Sequence, residues 1–402
     1  MDVAIIGGGA AGFFAAIAAK ENYPDARVTV FEKTSKILSK VKVSGGGRCN
    51  VTNGATTIKE LATAYPRGAN KLKKAFGHFS NKDTIEWFES RGVPLLTQDD
   101  NCVFPVSQDS QTIIDCFLNE VNRLKITIKL KHAVSKIIPL TDGKITLVLA
   151  DKQLIFDKVI VTTGGSPKEK GLLWLAELGH QIITPVPSLF TFNMPKETIT
   201  KLMGIVVNPA MVSIQGTKFQ SSGPLLITHW GMSGPAILKI SAFGARYLSE
   251  QDYNFKIQVN WANEKNTELI KNTIQNIINT HPKKLISNYK PYGFTTRFWE
   301  YLLAKLKFDK TIIWAELGKK RVNQLVNILA NDVYMVSGKT TFKEEFVTCG
   351  GVSLENIDFK TMQSKAIPNL YFAGEVLDID GITGGYNFQA AWTTAFIAAK
   401  LN

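Results

Sequence analysis

Cysteine is scarce in this chain. Its 402 residues hold four, Cys49, Cys102, Cys116 and Cys349, far apart and without a CxxC pair. That excludes a disulfide framework and a zinc ribbon, so no metal site is expected. It also excludes the paired-thiol relay of a disulfide reductase. Long apolar runs are lacking too: residues 3 to 19, "VAIIGGGAAGFFAAIAA", form a charge-free stretch of 17 that three consecutive glycines interrupt. A spanning helix needs roughly 20 apolar residues, and a signal peptide needs a positive leader, where this chain has Asp2. A reducing, cytoplasmic location without membrane attachment is expected. Acid is in deficit, with 34 Asp+Glu against 47 Lys+Arg, a net charge of +13. With 45% apolar and 20% charged residues the chain can build a real core, in two or three domains.

The interrupted run carries the first positive signal. Gly7-Gly8-Gly9-Ala10-Ala11-Gly12 fits G-x-G-x-x-G, after the apolar strand pattern Val3-Ala4-Ile5-Ile6 and before an alanine-rich helix. In such a unit Gly7 makes the tight turn, Gly9 lets backbone N–H groups approach a pyrophosphate, and Gly12 lets helix and strand close up. The next strand, Val28-Thr29-Val30-Phe31, leads into Glu32, 20 residues after Gly12, where a carboxylate accepts ribose hydroxyls. A dinucleotide cradle is expected, with Ala10, Ala11 and Lys33 beside these groups.

The other end of the chain distinguishes FAD from a nicotinamide nucleotide. Residues 369 to 375 read as a strand ending in Gly374-Glu375, and Gly384-Gly385-Tyr386-Asn387 opens a final helix. A carboxylate at Glu375 can meet a ribityl hydroxyl, and a helix N-terminus can stabilise negative charge at a flavin's N1–C2=O edge. A second G-x-G-x-x-G is absent, so NADPH or NADH would have to visit the open flavin face.

"SGGGRCNVTN" (Ser44 to Asn53), "THWGMSGPAIL" (Thr228 to Leu238), "TCGGV" (Thr348 to Val352), "TMQSK" (Thr361 to Lys365) and "LYFAGEVLDIDGITGGYNFQAAW" (Leu370 to Trp392) resemble a bacterial flavoprotein family, the BaiN/RdsA-type or aminoacetone oxidase family. The resemblance covers nearly the whole chain. It implies an α/β fold: an FAD-binding, Rossmann-like domain of the two-dinucleotide-binding-domain flavoprotein type, with an inserted β-rich plus helical domain. It also implies bound FAD and three activities known among its members: oxidation of small amino ketones, reduction of steroid-like substrates, and reduction of a ribosomal RNA uridine to dihydrouridine. Lys40 stands in Leu38-Ser39-Lys40, where the family usually has Gly-Arg-Lys. Lys40, Ser44, Gly45, Gly46, Arg48, Cys49 and Asn50 join the residues expected at the cofactor. Arg48 can pair with phosphate or lie against the flavin's pyrimidine edge, and Cys49 reads as a small buried residue.

The expected domains are 1–189, an insertion 190–345 (190–262 β-rich, 263–333 helical) and 346–402. Residues 126 to 161 read as strands with a hairpin turn at Asp142-Gly143, leading to Thr163-Gly164-Gly165 at the cofactor. Val134 is expected on the adenine side by fold analogy. In the insertion, Ser233-Gly234-Pro235 reads as a serine-capped helix start, and His229 just before it is a candidate proton donor beside Tyr386 and Asn387. Residues 256 to 345 carry 15 Lys+Arg against 8 Asp+Glu, +7 of the net +13. Lys283, Lys284, Lys290, Arg297, Lys305 and Lys307 interleave there with Tyr289, Tyr292, Phe294 and Trp299. This pattern fits either phosphate neutralisation with base stacking or an ordinary helical core with solvated lysines. Three functions follow as expectations: a nicotinamide-fed reductase of ribosomal RNA, a flavin oxidase of a small amine or amino ketone, and a non-catalytic FAD-containing RNA- or ribosome-binding protein.

Overall fold

The computed structural model describes residues 1–150, 152–340 and 347–402. The chain divides into two units, Met1–Ser188 with Phe342–Asn402, and Leu189–Thr341. The expected boundary at residues 345 and 346 lies outside the described residues.

In the first unit, β1 (Asp2–Ile6), α1 (Ala10–Asn22) and β2 (Arg27–Phe31) follow one another. β1 is apolar and almost wholly buried, as a parallel strand covered on both faces must be. It pairs in parallel with β2 on one side, Ile5 opposite Val30, and with Lys158–Val161 on the other, Ile5 opposite Ile160. Thr127–Lys129 extends the sheet beyond β2 and Leu370–Phe372 extends it beyond Lys158–Val161, both in parallel. Two short antiparallel strands, Ile357–Asp358 and Gln363–Ser364, finish that edge. The chain thus reverses direction across the sheet at β1, which opens a crevice beyond the carboxyl ends of the strands. Those ends are Ile6, Phe31, Val161 and Phe372. Three antiparallel strands, Lys136–Pro139, Ile145–Val148 and Gln153–Phe156, form the connection read from residues 126 to 161.

α1 has no polar face; Ala11 through Ala19 are all buried. A helix apolar all round must be enclosed by neighbours. Here Phe14 packs on Phe79, Trp87 and Trp392 at ring-centroid distances of 5.3, 4.9 and 5.5 Å. Trp392 belongs to the last helix, Tyr386–Ala398, which lies against α1. Its indole N–H donates to the Val51 carbonyl at 3.0 Å, and Gln389 Oε1 accepts from the hydroxyls of Thr52 and Thr84. Each such buried bond is worth about 1 kcal/mol net, and more is forfeited if one partner is left alone.

The second unit is built on a seven-stranded sheet that includes Thr191–Asn193, Val206–Ile214, Gln220–Ile227 and Asn254–Asn260. Helices Thr267–Thr280, Thr296–Lys305 and Gly318–Ala330 occupy the stretch read as helical. One expectation is corrected here, and one of two open readings is favoured. Ser233 ends the strand Gly231–Ser233, and Gly234, not the serine, is the N-cap of helix Pro235–Phe243; the hydroxyl sits one residue too early to cap. The aromatics interleaved with the lysines are mostly core: Trp299 is fully buried and donates to the Ile286 carbonyl at 2.7 Å, and Phe294 is buried. Tyr292 is half-buried with its hydroxyl enclosed. Only Tyr289 of the four is exposed, stacked on His281 at 4.0 Å. Lys305 is held by the buried Asp332 at 2.5 Å.

Candidate flavin site

At the first turn the Gly7 N–H donates to Phe31 O at 2.8 Å. A Cβ on Gly12 would run into the Gly7 carbonyl oxygen, whereas a Cβ on Gly9 would meet nothing within 4 Å. The turn is therefore closed toward the sheet and open on the side where a pyrophosphate would lie. Glu32 accepts from the N–H groups of Gly8 (2.9 Å) and Thr34 (2.8 Å), one on each carboxylate oxygen. Each oxygen keeps acceptor capacity for a ribose hydroxyl. Lys33 is exposed beside it. The Lys131 and His132 N–H groups bond to the carbonyls of Thr34 and Glu32, both at 2.9 Å, which carries the half-buried Val134 along this same edge.

The strand ends at Val161 and Phe372 bring the next groups together. A Cβ on Gly165 would meet Thr348 Oγ1 at 2.5 Å and Glu375 Oε1 at 2.7 Å, and one on Gly374 would meet Ala11 Cβ at 2.8 Å. Glu375 accepts the Thr348 N–H at 2.9 Å and pairs with Lys40 at 2.6 Å. The sequence set Glu375 toward a ribityl hydroxyl; the structure also commits it to these two neighbours. The Thr348 hydroxyl is buried with no hydrogen-bond partner among the described residues. Such a group costs about 1–3 kcal/mol, which a polar ligand atom would offset. Thr163 is exposed and Gly164 faces open space.

α2 (Ser39–Gly47) loses helical geometry at Ser44, Gly45 and Gly46. Ser44 donates to the Val41 carbonyl at 2.9 Å, and Gly46 faces open space. Arg48 folds onto this loop, donating to Gly45 O at 3.1 Å and Gln108 Oε1 at 3.3 Å, with its guanidinium 4.1 Å from the centre of the Phe104 ring. Cys49 is fully buried, and burial pushes its thiol up to about 12. It therefore stays neutral at physiological pH. Asn50 Oδ1 accepts the Val103 N–H at 3.2 Å.

The last helix starts from Gly385 in the left-handed region, φ +84°. A Cβ there would collide with Thr52 O and approach Asn50 Oδ1 to 2.8 Å. Tyr386 accepts the Tyr65 O–H on its carbonyl at 2.6 Å, and burial pushes its own phenol up to about 12. A phenol so weakly acidic suits hydrogen-bond donation better than proton transfer near neutral pH. Asn387 uses both ends of its amide on Gly381, accepting its N–H at 2.8 Å and donating to its carbonyl at 3.0 Å. Its amide thus closes the loop before the helix. His229 lies in the second unit, exposed, its ring 4.3 Å from that of Trp230.

One element escaped the sequence reading. The buried Asp380 is gripped by Arg67 through two guanidinium nitrogens and by the Ser188 hydroxyl at 2.6 Å. This anchors the same loop, and no motif marks residues 313 positions apart.

Neither helix facing the crevice, α1 nor Tyr386–Ala398, has a side-chain cap or an acid in its first turn. Thr57, Asp109 and Asn266 cap three other helices, while Ala69–Ala75, Pro235–Phe243 and Thr296–Lys305 share the lack of both cap and acid. Bare N-termini suit an anion. With the open side of Gly9 and the orphaned Thr348 hydroxyl, they fit an FAD whose pyrophosphate would lie at α1 and whose flavin would lie by the last helix.

Among the described residues, no helix is long and apolar enough to cross a membrane and no His/Cys/Asp/Glu group could hold a metal ion. The fold and this site define a Rossmann-type dinucleotide-binding flavoprotein. The family described as HI0933-like protein Rossmann domain matches residues 1–401, and the chain belongs to it, a family of FAD-dependent oxidoreductases. It is 30% identical to a ribosomal RNA dihydrouridine synthase of Haemophilus influenzae, over 98% of this chain and 96% of that protein. It is 27% identical to a 3-dehydro-bile acid delta(4,6)-reductase of Clostridium scindens, over 99% of this chain and 98% of that protein. Among solved structures, a 3-ketosteroid-delta4-(5alpha)-dehydrogenase of Rhodococcus jostii shares the fold with a TM-score of 0.52 at 13% identity, covering 99% of this chain and 96% of that one.

Proposed function

We propose that this oxidoreductase reduces a uridine of ribosomal RNA to dihydrouridine, with NADPH or NADH as electron source. The observation that carries the reading is the full-length similarity to the Haemophilus influenzae ribosomal RNA dihydrouridine synthase, and the chain's net charge of +13 is in keeping with a polyanionic substrate. The two curated relatives act on different molecules but, by their names, on the same bond type. A uridine C5=C6 bond and the Δ4,6 system of a 3-dehydro-bile acid are both carbon–carbon double bonds conjugated with a carbonyl.

Reduction of such a bond delivers a hydride to the carbon β to the carbonyl and a proton to the α carbon. For uridine these are C6 and C5. The balance is uridine plus NAD(P)H plus a proton, giving dihydrouridine plus NAD(P)+. Bound FAD supplies the two-electron carrier chemistry. The chain's own part is binding and orientation. Gly7, Gly9, Ala10, Ala11, Gly12, Glu32 and Lys33 would hold the adenosine and pyrophosphate end, with Val134 beside the adenine. Lys40, the Ser44–Asn50 loop, Thr163–Gly165, Gly374 and Glu375 would hold the middle. Gly384, Gly385, Tyr386 and Asn387 would present the last helix's N–H groups to the flavin's carbonyl edge. Tyr386 would keep its proton and orient substrate or flavin by hydrogen bonding.

Two measurements test this together. NADPH, then NADH, is added anaerobically to the holoprotein while the visible flavin band is followed, and dihydrouridine is quantified in ribosomal RNA from a strain lacking the gene. Rapid bleaching with loss of dihydrouridine is expected. Bleaching with dihydrouridine unchanged would move the substrate to a small conjugated carbonyl compound. No bleaching would favour an oxidase fed by its organic substrate.

A further inference from the structure

Part of the basic excess of the second unit is gathered around one concavity, where the consecutive Lys319, Lys320 and Arg321 are joined by Lys307. The linker after Thr296–Lys305 and the start of helix Gly318–Ala330 flank an open, shallow pocket of about 510 Å³. Lys307, Lys319, Lys320 and Arg321 line it together with Gln324, Leu306, Phe308 and Leu317, and its surface is mostly polar. All four cations are exposed or half-exposed, and among the described residues none forms an ion pair. The nearest acids in sequence are engaged or turned elsewhere: Asp309 binds the Thr311 N–H and hydroxyl at 2.9 and 2.8 Å, and Glu316 offers Arg321 only its carbonyl, at 3.5 Å. Lys305 and Lys310, by contrast, are neutralised by Asp332 and Glu300. Four unpaired like charges around one concavity repel one another, and a polyanion relieves that repulsion.

We propose that this pocket is a docking site for the sugar–phosphate backbone of the RNA substrate, an inference that rests on the reading of the protein as an RNA-acting enzyme. The four cations, spread over the rim of one concavity, would take successive phosphates of the strand. The pocket lies within the second unit and acts as an RNA grip, separate from the residues assigned to FAD.

The test uses the full-length holoprotein and a fluorescein-labelled single-stranded oligouridylate, with Kd measured by anisotropy at several salt concentrations. The variants are a Lys319→Ala/Lys320→Ala/Arg321→Ala triple and a Lys283→Ala/Lys284→Ala double, the latter removing exposed charge outside the pocket lining. An unchanged flavin spectrum and melting temperature establish that each is folded. The triple variant is expected to bind at least about tenfold more weakly. Its log Kobs against log[salt] slope should be shallower by about 2, since each single-strand phosphate that is no longer neutralised takes away about 0.7. The double variant is expected to stay within about threefold of the wild type.

Equal weakening in both variants would mean diffuse charge and would overturn the proposal. So would unchanged binding in the triple variant. Inorganic phosphate or phosphatidylserine vesicles binding in a pocket-dependent way while oligouridylate does not would overturn it in favour of another anion. Anaerobic bleaching by NADPH should be the same in wild type and triple variant. Weakened oligouridylate binding with dihydrouridine intact in the deletion strain would leave the RNA site standing and remove the catalytic reading; the reverse result would remove the site alone.

Discussion

The two glycine turns that bracket the candidate cradle are crowded by different things. At the turn after β1, the atom that forbids a side chain on Gly12 is the carbonyl of Gly7, five residues away. At the turn before the last helix, the atoms that forbid one on Gly385 are Thr52 O and Asn50 Oδ1, from the opposite end of the chain. The first turn is a local device that a short peptide pattern specifies. The second exists only once distant segments have packed. Within the first turn Gly9 is crowded by nothing, so its small size serves something other than the fold.

Substitutions should separate these cases. Gly12→Ala puts a methyl into a backbone carbonyl that cannot withdraw without breaking β1 from α1. A loss of about 4 kcal/mol or more is expected, seen as failure to accumulate folded holoprotein. Gly385→Ala meets both a collision and a left-handed φ, and should cost about 2–4 kcal/mol in denaturant unfolding. If it matched the wild type, the second turn would be looser than described. Gly9→Ala should leave unfolding within about 0.5 kcal/mol of wild type yet weaken FAD retention roughly 10–100-fold, measured by flavin release on dialysis. Equal flavin retention would remove the pyrophosphate from this turn.

Smaller effects sharpen the same contrast. Asn387→Ala removes two bonds to Gly381 and should cost about 1–2 kcal/mol, with turnover, where measurable, falling only as the loop loosens. Away from both turns, Glu120 is held below its usual range by hydrogen bonding to Arg123, then by the charges of Arg123 and Arg91. Its stabilisation is present above the carboxylate's ordinary pKa and disappears as pH falls through the lowered value. Glu120→Gln should therefore be less stable than wild type by up to about 1 kcal/mol at neutral pH, and the gap should close in acid.

The same contrast explains what could be read in the sequence. The Gly7–Gly12 turn, β2 and Glu32 were legible because each rests on neighbours within a few tens of residues. The β-rich and helical texture of residues 190 to 332 was legible as alternation and helical spacing. Arg67–Asp380–Ser188 was not, since a buried ion pair between distant segments leaves no periodic trace. The pairing of Lys305 with Asp332, and the burial of Trp299 and Phe294 among exposed lysines, likewise depend on which helix face meets the sheet. The Lys319-Lys320-Arg321 run had a signal that went unused: a helix start carrying cations where acids are favoured.

The packing of the last helix against α1 also sets an order of events during synthesis. The strand, turn and helix of residues 2–22 are made well before their apolar partner, with Trp392 and Gln389, which emerges only after residues 189–341. At about 5–20 residues per second, the nucleotide turn waits roughly 20–75 s for the segment that completes its domain. Through that interval the buried face of α1 has Phe79 and Trp87 beside it but lacks Trp392 and the last helix, while the contiguous second unit is free to fold. A nascent chain stalled before Tyr386 should therefore present a folded insertion and a first unit still open to chaperones.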